Sequence, residues 1–138
     1  MVSAIGNKTA VIFGASSGIG AAVARRFGAL GADVIVHYSS NKAGAEDVVR
    51  DIVDKGGKAQ LLAGDLSKAD VADRLVSDAA SKLGRLDIII NNAGSMFGRT
   101  TIAKATDQQY HNVVDLNIGG VFFAARRAAA FLQQQKSG

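Results

Sequence analysis

A chain of 138 residues, 48% hydrophobic and 20% charged, has the composition of one soluble folded core, and excludes a fibre, a disordered tail and a membrane bundle. It holds no cysteine, so disulfides and thiolate chemistry are out, and its two histidines, His37 and His111, lack a second ligand at metal-binding spacing; no metal is expected. The net charge of +4 comes from 16 basic and 12 acidic residues scattered among one another without interleaved aromatics, which argues against a nucleic-acid surface.

The first residues lack the basic and apolar regions of a leader, and no window approaches the ~18 apolar residues of a membrane span, so a cytoplasmic protein with no membrane partner is expected. Along the chain, short β-branched runs alternate with longer stretches of helical spacing, which is the βαβ pattern. Residues 9–13 read as a buried strand, and Ile19, Val23, Phe27 and Leu30 then mark the inward stripe of a helix that Gly31 stops. A second strand spans 34–36. Ala45, Val48, Val49, Ile52 and Val53 mark a second helix ended by Gly56 and Gly57, with Glu46–Arg50 and Asp51–Lys55 as surface pairs.

Residues 59–63 form the third strand. Ser67 is the expected N-cap of a third helix carrying Val71, Leu75, Ala79 and Leu83 inward, and Gly84 closes it. The fourth strand, 86–90, is apolar enough for cover on both faces. Thr106 then caps a long helix running toward Gln135, bent near Gly119 and Gly120. That helix is apolar around much of its circumference, so a homo-oligomer, dimer or tetramer, is expected. With no linker, repeat or low-complexity stretch, residues 1–138 read as one unit of α/β class.

The chemistry sits between the first strand and first helix, in Gly14-Ala15-Ser16-Ser17-Gly18-Ile19-Gly20. Gly14 can make the tight turn, Gly18 leaves room for a pyrophosphate against main chain, and Gly20 lets the helix lie close to the sheet. Helix-start amides have no acceptor within the helix and point at the ligand, with the positive end of the dipole behind them. Ser16 and Ser17 add hydroxyl donors. A strand before and a helix after turn this glycine run from a flexible loop into a dinucleotide site.

The spacing Gly-x-x-x-Gly-x-Gly, together with Asn91-Asn92-Ala93-Gly94 directly after the fourth strand, resembles the short-chain dehydrogenase/reductase family from about Lys8 to the last residue. The nearest style is that of the 3-oxoacyl-acyl-carrier-protein reductases. The resemblance implies that residues 1–138 are one dinucleotide-binding domain, a Rossmann-type parallel sheet with helices on both faces in strand order 3-2-1-4, truncated after the fourth strand and its long helix. The resemblance implies that Gly14, Ser16, Ile19 and Gly20 line the diphosphate and nicotinamide side, that Asp65 and Leu66 contact the adenine, and that Asn91, Ala93 and Gly94 face the ribose. It implies that Asn117 supports a proton-relay water and a catalytic lysine. Phe13 departs from the family's usual threonine, which removes one structural hydrogen bond.

At the end of the second strand, where an acid would accept from adenosine ribose hydroxyls and repel a 2′-phosphate, stands Tyr38, followed by Ser39, Ser40 and Lys42. NADP(H) is therefore favoured over NAD(H). The family's catalytic serine and Tyr-x-x-x-Lys would follow the helix of Asn117. Tyr38 and Lys42 share that spacing but stand on the adenosine side of the crevice, out of hydrogen-bond reach of a reacting oxygen. The resemblance implies an oxidoreductase lineage that interconverts a ketone and a secondary alcohol by hydride transfer on a small-molecule substrate. Two alternatives are a dinucleotide-binding fragment without turnover and a methyltransferase, which would favour an acid near Tyr38 and gives no reason for residues 91–94.

Overall fold

The computed structural model describes residues 4–136. Four strands, β1 (Thr9–Phe13), β2 (Asp33–Tyr38), β3 (Lys58–Ala63) and β4 (Ile88–Asn91), form one parallel sheet in the order β3-β2-β1-β4. The crossovers are the helices α1 (Gly18–Ala29), α2 (Lys42–Asp54) and α3 (Ala69–Leu83). The expected order is the observed one. Because β2 and β4 flank β1, the chain leaves β1 in one direction first and returns on its other side later, which creates a switch point beside the C-terminal end of β1.

The sheet separates two cores. On one face Val11, Phe13 and Ile35 meet Leu75, Val76 and Ala79 of α3 and Ala124 and Ala128 of the last helix; on the other Ala10, Ile12, Val34 and Val36 meet Ala21, Ala24, Ala45, Val48 and Ile52. Strand residues alternate between these faces, so β1 is buried throughout and β2 is buried from Val34 to His37. Ile88 to Ile90 remain half-buried because β4 pairs with β1 alone and forms an edge. Leu86 and Asp87 fall outside β4, contrary to the expected 86–90. The Gln135 amide takes both backbone groups of Leu86 (Leu86 N–H to Oε1 2.9 Å, Nε2–H to Leu86 O 2.6 Å), and the buried Asp87 carboxylate accepts from the Thr9 N–H at 2.9 Å and the Thr9 hydroxyl at 3.1 Å. Burial would raise the Asp87 pKa, but its bonds to Arg85 and Thr9 hold it below the usual carboxylate range.

Several local expectations change. The fully buried residues of α1 are the small ones, Gly20, Ala21, Ala24 and Gly28; of the expected stripe Val23 and Phe27 pack half-buried against the same core, while Ile19 is 76% exposed. Close approach is the reason: a Cβ on Gly28 would lie 2.5 Å from Ile52 Cγ2 of α2. On α2, Ala45, Val48 and Ile52 are buried as expected, while Val53 is exposed. The surface pairs also differ, since Glu46 bonds Lys42, Arg50 bonds Asp47 and Asp51 bonds Arg25 across helices. Ser67 does not cap α3, whose N-cap is Lys68, because its hydroxyl is turned onto Asp65.

The final helical stretch is one rod in three parts. Thr106 caps α4 (Asp107–Val114) as expected, accepting from the Gln109 N–H at 3.1 Å; a π-helical turn, Asp115–Gly120, follows, and then α5 (Val121–Gln135). The irregularity thus begins earlier than Gly119 and Gly120. Asn117 explains why: its side-chain Nδ2 donates to Val113 O at 2.8 Å, taking the carbonyl that a backbone amide four residues on would use.

Candidate functional site

All four strands deliver loops to one end of the sheet, and there a cavity of about 600 Å3 opens. From the predicted residues the structure brings together Gly14, Ser16 and Ser17 after β1, Ser39 and Ser40 after β2, Asp65 and Leu66 after β3, and Ala93 and Gly94 after β4. Gly18, Ile19, Gly20, Tyr38, Asn91 and Asn117 do not line it. Tyr38 packs toward the core beneath α1 and α2, so strand alternation hands the cavity His37 in its place.

Gly14 has φ +70°, a region closed to most side chains, and an added Cβ would lie 2.8 Å from the Ala93 Cα. At Gly20 the constraint is space, since a Cβ there would lie 2.3 Å from Gly14 O and 2.5 Å from the Asn92 amide. Both polar groups of Gly14 are engaged. Its N–H donates to His37 Nδ1 at 3.1 Å, and its carbonyl accepts from Asn92 Nδ2 at 2.9 Å, with Phe13 O sharing that donor at 3.3 Å. The Ala15 N–H donates to His37 O at 2.8 Å. By contrast the amides of residues 16–20 donate to nothing, and the Ser17 hydroxyl makes no capping bond. The turn is tied at its base and open at its mouth.

Sequence reasoning passed over His37 and Asn92. Asn91 ends β4, where it pairs with Phe13 in register, and Asn92, the next residue, carries the amide that reaches across to Gly14. His37 is 2% exposed, stands edge-on to Phe13 with ring centroids 5.0 Å apart, and shares its Nε2 proton with Gly64 O at 3.0 Å. Accepting at Nδ1 and donating at Nε2 requires the neutral ring. Burial pushes its pKa down to about 4, against the pull of the Gly64 carbonyl. Phe13, which stands where the family usually has threonine, supplies the apolar wall for that ring.

Opposite the turn, the Asp65 carboxylate accepts from the Ser67 hydroxyl at 2.7 Å and the Ser67 N–H at 3.0 Å. The Ser67 hydroxyl bond, helped by the Ser67 N–H and the Lys68 charge, holds the Asp65 carboxyl below the usual carboxylate range against the opposing effect of burial. Asn41, at the N-cap of α2, accepts from Gly44 N–H and donates to Ser16 O at 3.4 Å, linking the β2 loop to the turn. At the far end, Asn117 brackets Ser95, accepting from its N–H at 3.2 Å and donating to its carbonyl at 2.8 Å, while a Cβ on Gly94 would lie 2.6 Å from Asn117 Oδ1. Phe97, Asn112, Asp115 and Leu116 complete that wall and carried no signal in the sequence.

The short chain dehydrogenase family profile matches residues 8–138. The chain belongs to the short-chain dehydrogenase family. It is 41% identical over 131 residues to an uncharacterized oxidoreductase of Methylorubrum extorquens, covering 95% of this chain and 52% of the relative, and 33% identical over 137 residues to a 3-oxoacyl-[acyl-carrier-protein] reductase of Synechocystis, covering 99% and 55%. Among solved structures, a metagenomic short-chain oxidoreductase in complex with NADP superposes with a TM-score of 0.90 at 31% identity, covering 99% of this chain and 61% of that one. An NADH-dependent reductase of alginate metabolism superposes with 0.87 at 28% identity, covering 94% and 53%. This short-chain dehydrogenase chain spans about half the length of the curated relatives it matches. Among the described residues no helix is long and apolar enough to cross a membrane, and no group of three metal-ligating side chains occurs.

The neutral His37 makes the site pH-sensitive in a defined direction. With a folded pKa near 4 and an unfolded value near 6.5, the unfolded chain takes up the proton first, so stability is complete above pH 6.5 and declines as pH falls toward 4. Urea unfolding at pH 7, 5.5 and 4 is expected to show a loss of roughly 3 kcal/mol that His37→Asn does not share. Parallel loss in both proteins contradicts it.

Proposed function

We propose that this chain is the coenzyme-binding part of an NADP(H)-dependent oxidoreductase acting on a small ketone or secondary alcohol. The observation that carries the reading is the row of unpartnered amides at residues 16–20, which starts with Ser16 and Ser17 on the wall of a cavity of about 600 Å3 at the switch point of the sheet. The fit is chemical as well as spatial, since the donors at the turn match a diphosphate and the apolar Leu66 beside the carboxylate of Asp65 matches a purine ring with an exocyclic amine. When bound, the nicotinamide supplies or accepts the hydride.

In this reading Ser16, Ser17 and the amides of Gly18, Ile19 and Gly20 hold the diphosphate, with Gly14 setting the turn. Asp65 and Leu66 hold the adenine, and Ala93 and Gly94 frame the ribose. Ser39 and Ser40, with Lys42 close by, receive the adenosine 2′ position; none of the three is acidic, which favours a 2′-phosphate, while Tyr38 and Asn91 stay off the cavity. Asn117 acts as a positioning residue: both ends of its amide are committed to Ser95 and Val113, so it shapes the wall that the substrate approaches.

The catalytic serine and Tyr-x-x-x-Lys have no counterpart in this cavity. The chain's one Tyr-x-x-x-Lys pair is Tyr38 and Lys42, with Tyr38 against the far core and Lys42 bonded to Glu46 in the first turn of α2. We therefore propose that these 138 residues alone bind coenzyme without turnover. Ile118, Val121 and Phe122, exposed along the last helices, are the surface through which a second copy packs.

Calorimetric titration separates the readings. NADP⁺ is expected to bind about tenfold tighter than NAD⁺, from one charge-assisted phosphate contact, and S-adenosylmethionine not at all. Tight binding of S-adenosylmethionine alone overturns the assignment, and equal affinity for the two coenzymes overturns the 2′-phosphate assignment. Sedimentation of the same samples should show a dimer or tetramer; a monomer contradicts the packing surface.

A further inference from the structure

Three strand ends meet at one side chain in the floor of the cleft. The His37 ring accepts from the Gly14 N–H after β1 and donates to the Gly64 carbonyl after β3, while its own carbonyl accepts from Ala15 N–H. The ring is 2% exposed and braced edge-on by Phe13. We propose that His37 is a positioning residue for the coenzyme: its imidazole sets the plane of the Gly14 peptide and so the direction in which the amides of residues 16–20 face the cleft. This rests on the reading of the cleft as a dinucleotide site.

The argument is one of hydrogen-bond accounting. Gly14 at φ +70° has no side chain to restrain it, and its N–H gives its bond to a ring that is 2% exposed. Remove Nδ1 and that N–H is left unsatisfied; the peptide then turns to find another partner and carries the following amides with it. Asn92 holds the other end of the same residue through its carbonyl, so each side chain fixes one polar group of Gly14. The bond from Nε2 to Gly64 ties in the residue before Asp65, so the same ring links the diphosphate end of the cleft to the adenine end.

Three substitutions separate positioning from filling. His37→Asn places an oxygen where Nδ1 stands and keeps the acceptor for Gly14. His37→Gln reaches the Gly64 carbonyl but withdraws that acceptor, and His37→Phe fills the volume with no polar atom. At pH 7.5, with each protein fully folded by circular dichroism, NADP⁺ calorimetry is expected to place His37→Asn within about threefold of the unmodified protein. His37→Gln and His37→Phe should be at least about tenfold weaker. Should Phe fail to fold, Gln carries the comparison.

Exchange of the Gly14 amide proton gives an answer that does not depend on coenzyme. It should be slow in the unmodified protein and His37→Asn, and about tenfold faster in His37→Gln and His37→Phe. Unchanged exchange in those two variants, or NADP⁺ affinity within about twofold of the unmodified protein, overturns the assignment to His37. Failure of the unmodified chain to bind either nicotinamide coenzyme overturns instead the reading of the cleft on which it rests.

Discussion

The site depends on how the backbone polar groups of the β1–α1 turn are divided. Those of Gly14 are consumed inside the protein, by His37 on one side and Asn92 on the other, while the N–H groups of residues 16–20 are left without partners. Buried amides are almost always satisfied, and orphan amides at a helix start are an invitation to an anion. The division is enforced sterically as well: a side chain on Gly20 would strike Gly14 O, and one on Gly14 would strike Ala93. The turn is rigid at the points where rigidity aims its amides, and open where a ligand would enter.

The rest of the molecule holds that turn still. Two apolar cores clamp β1 between α1 and α2 on one face and α3 and α5 on the other. At the opposite end of β1, Asp87 binds both the N–H and the hydroxyl of Thr9, and Gln135 reaches from the end of α5 to bind the backbone of Leu86. Arg127 ties α5 to α3 through Ser77 and Asp73. Each is a side chain bonding to an element distant in sequence, so the cleft at one end of the sheet inherits order from latches at the other.

Much of this was legible before the structure. Parallel order, both crossover faces and the four loop clusters at the cleft follow from alternating periodicities and from glycines and asparagines at strand ends. What escaped was of two kinds. One is the choice between adjacent residues: His37 beside Tyr38 depends on which face of β2 each occupies, and Asn92 over Asn91 depends on the residue at which β4 ends. Packing set by closeness rather than by apolar size, as on the Gly20, Ala21, Ala24 and Gly28 face of α1, runs against a reading that looks for large side chains inside. The π turn at Asn117 escaped for a third reason, since a side chain competing for its own helix's carbonyl leaves no periodic trace.

The division of amides in the β1–α1 turn is most directly tested by the backbone amide shifts of isotopically labelled protein during titration with ADP-ribose, which carries the diphosphate and lacks the nicotinamide. Large, saturable shifts confined to residues 16–20, with the Gly14 amide still bonded to His37, are the predicted result. Shifts spread over the surface, or absent from that segment at saturating ligand, would contradict the account.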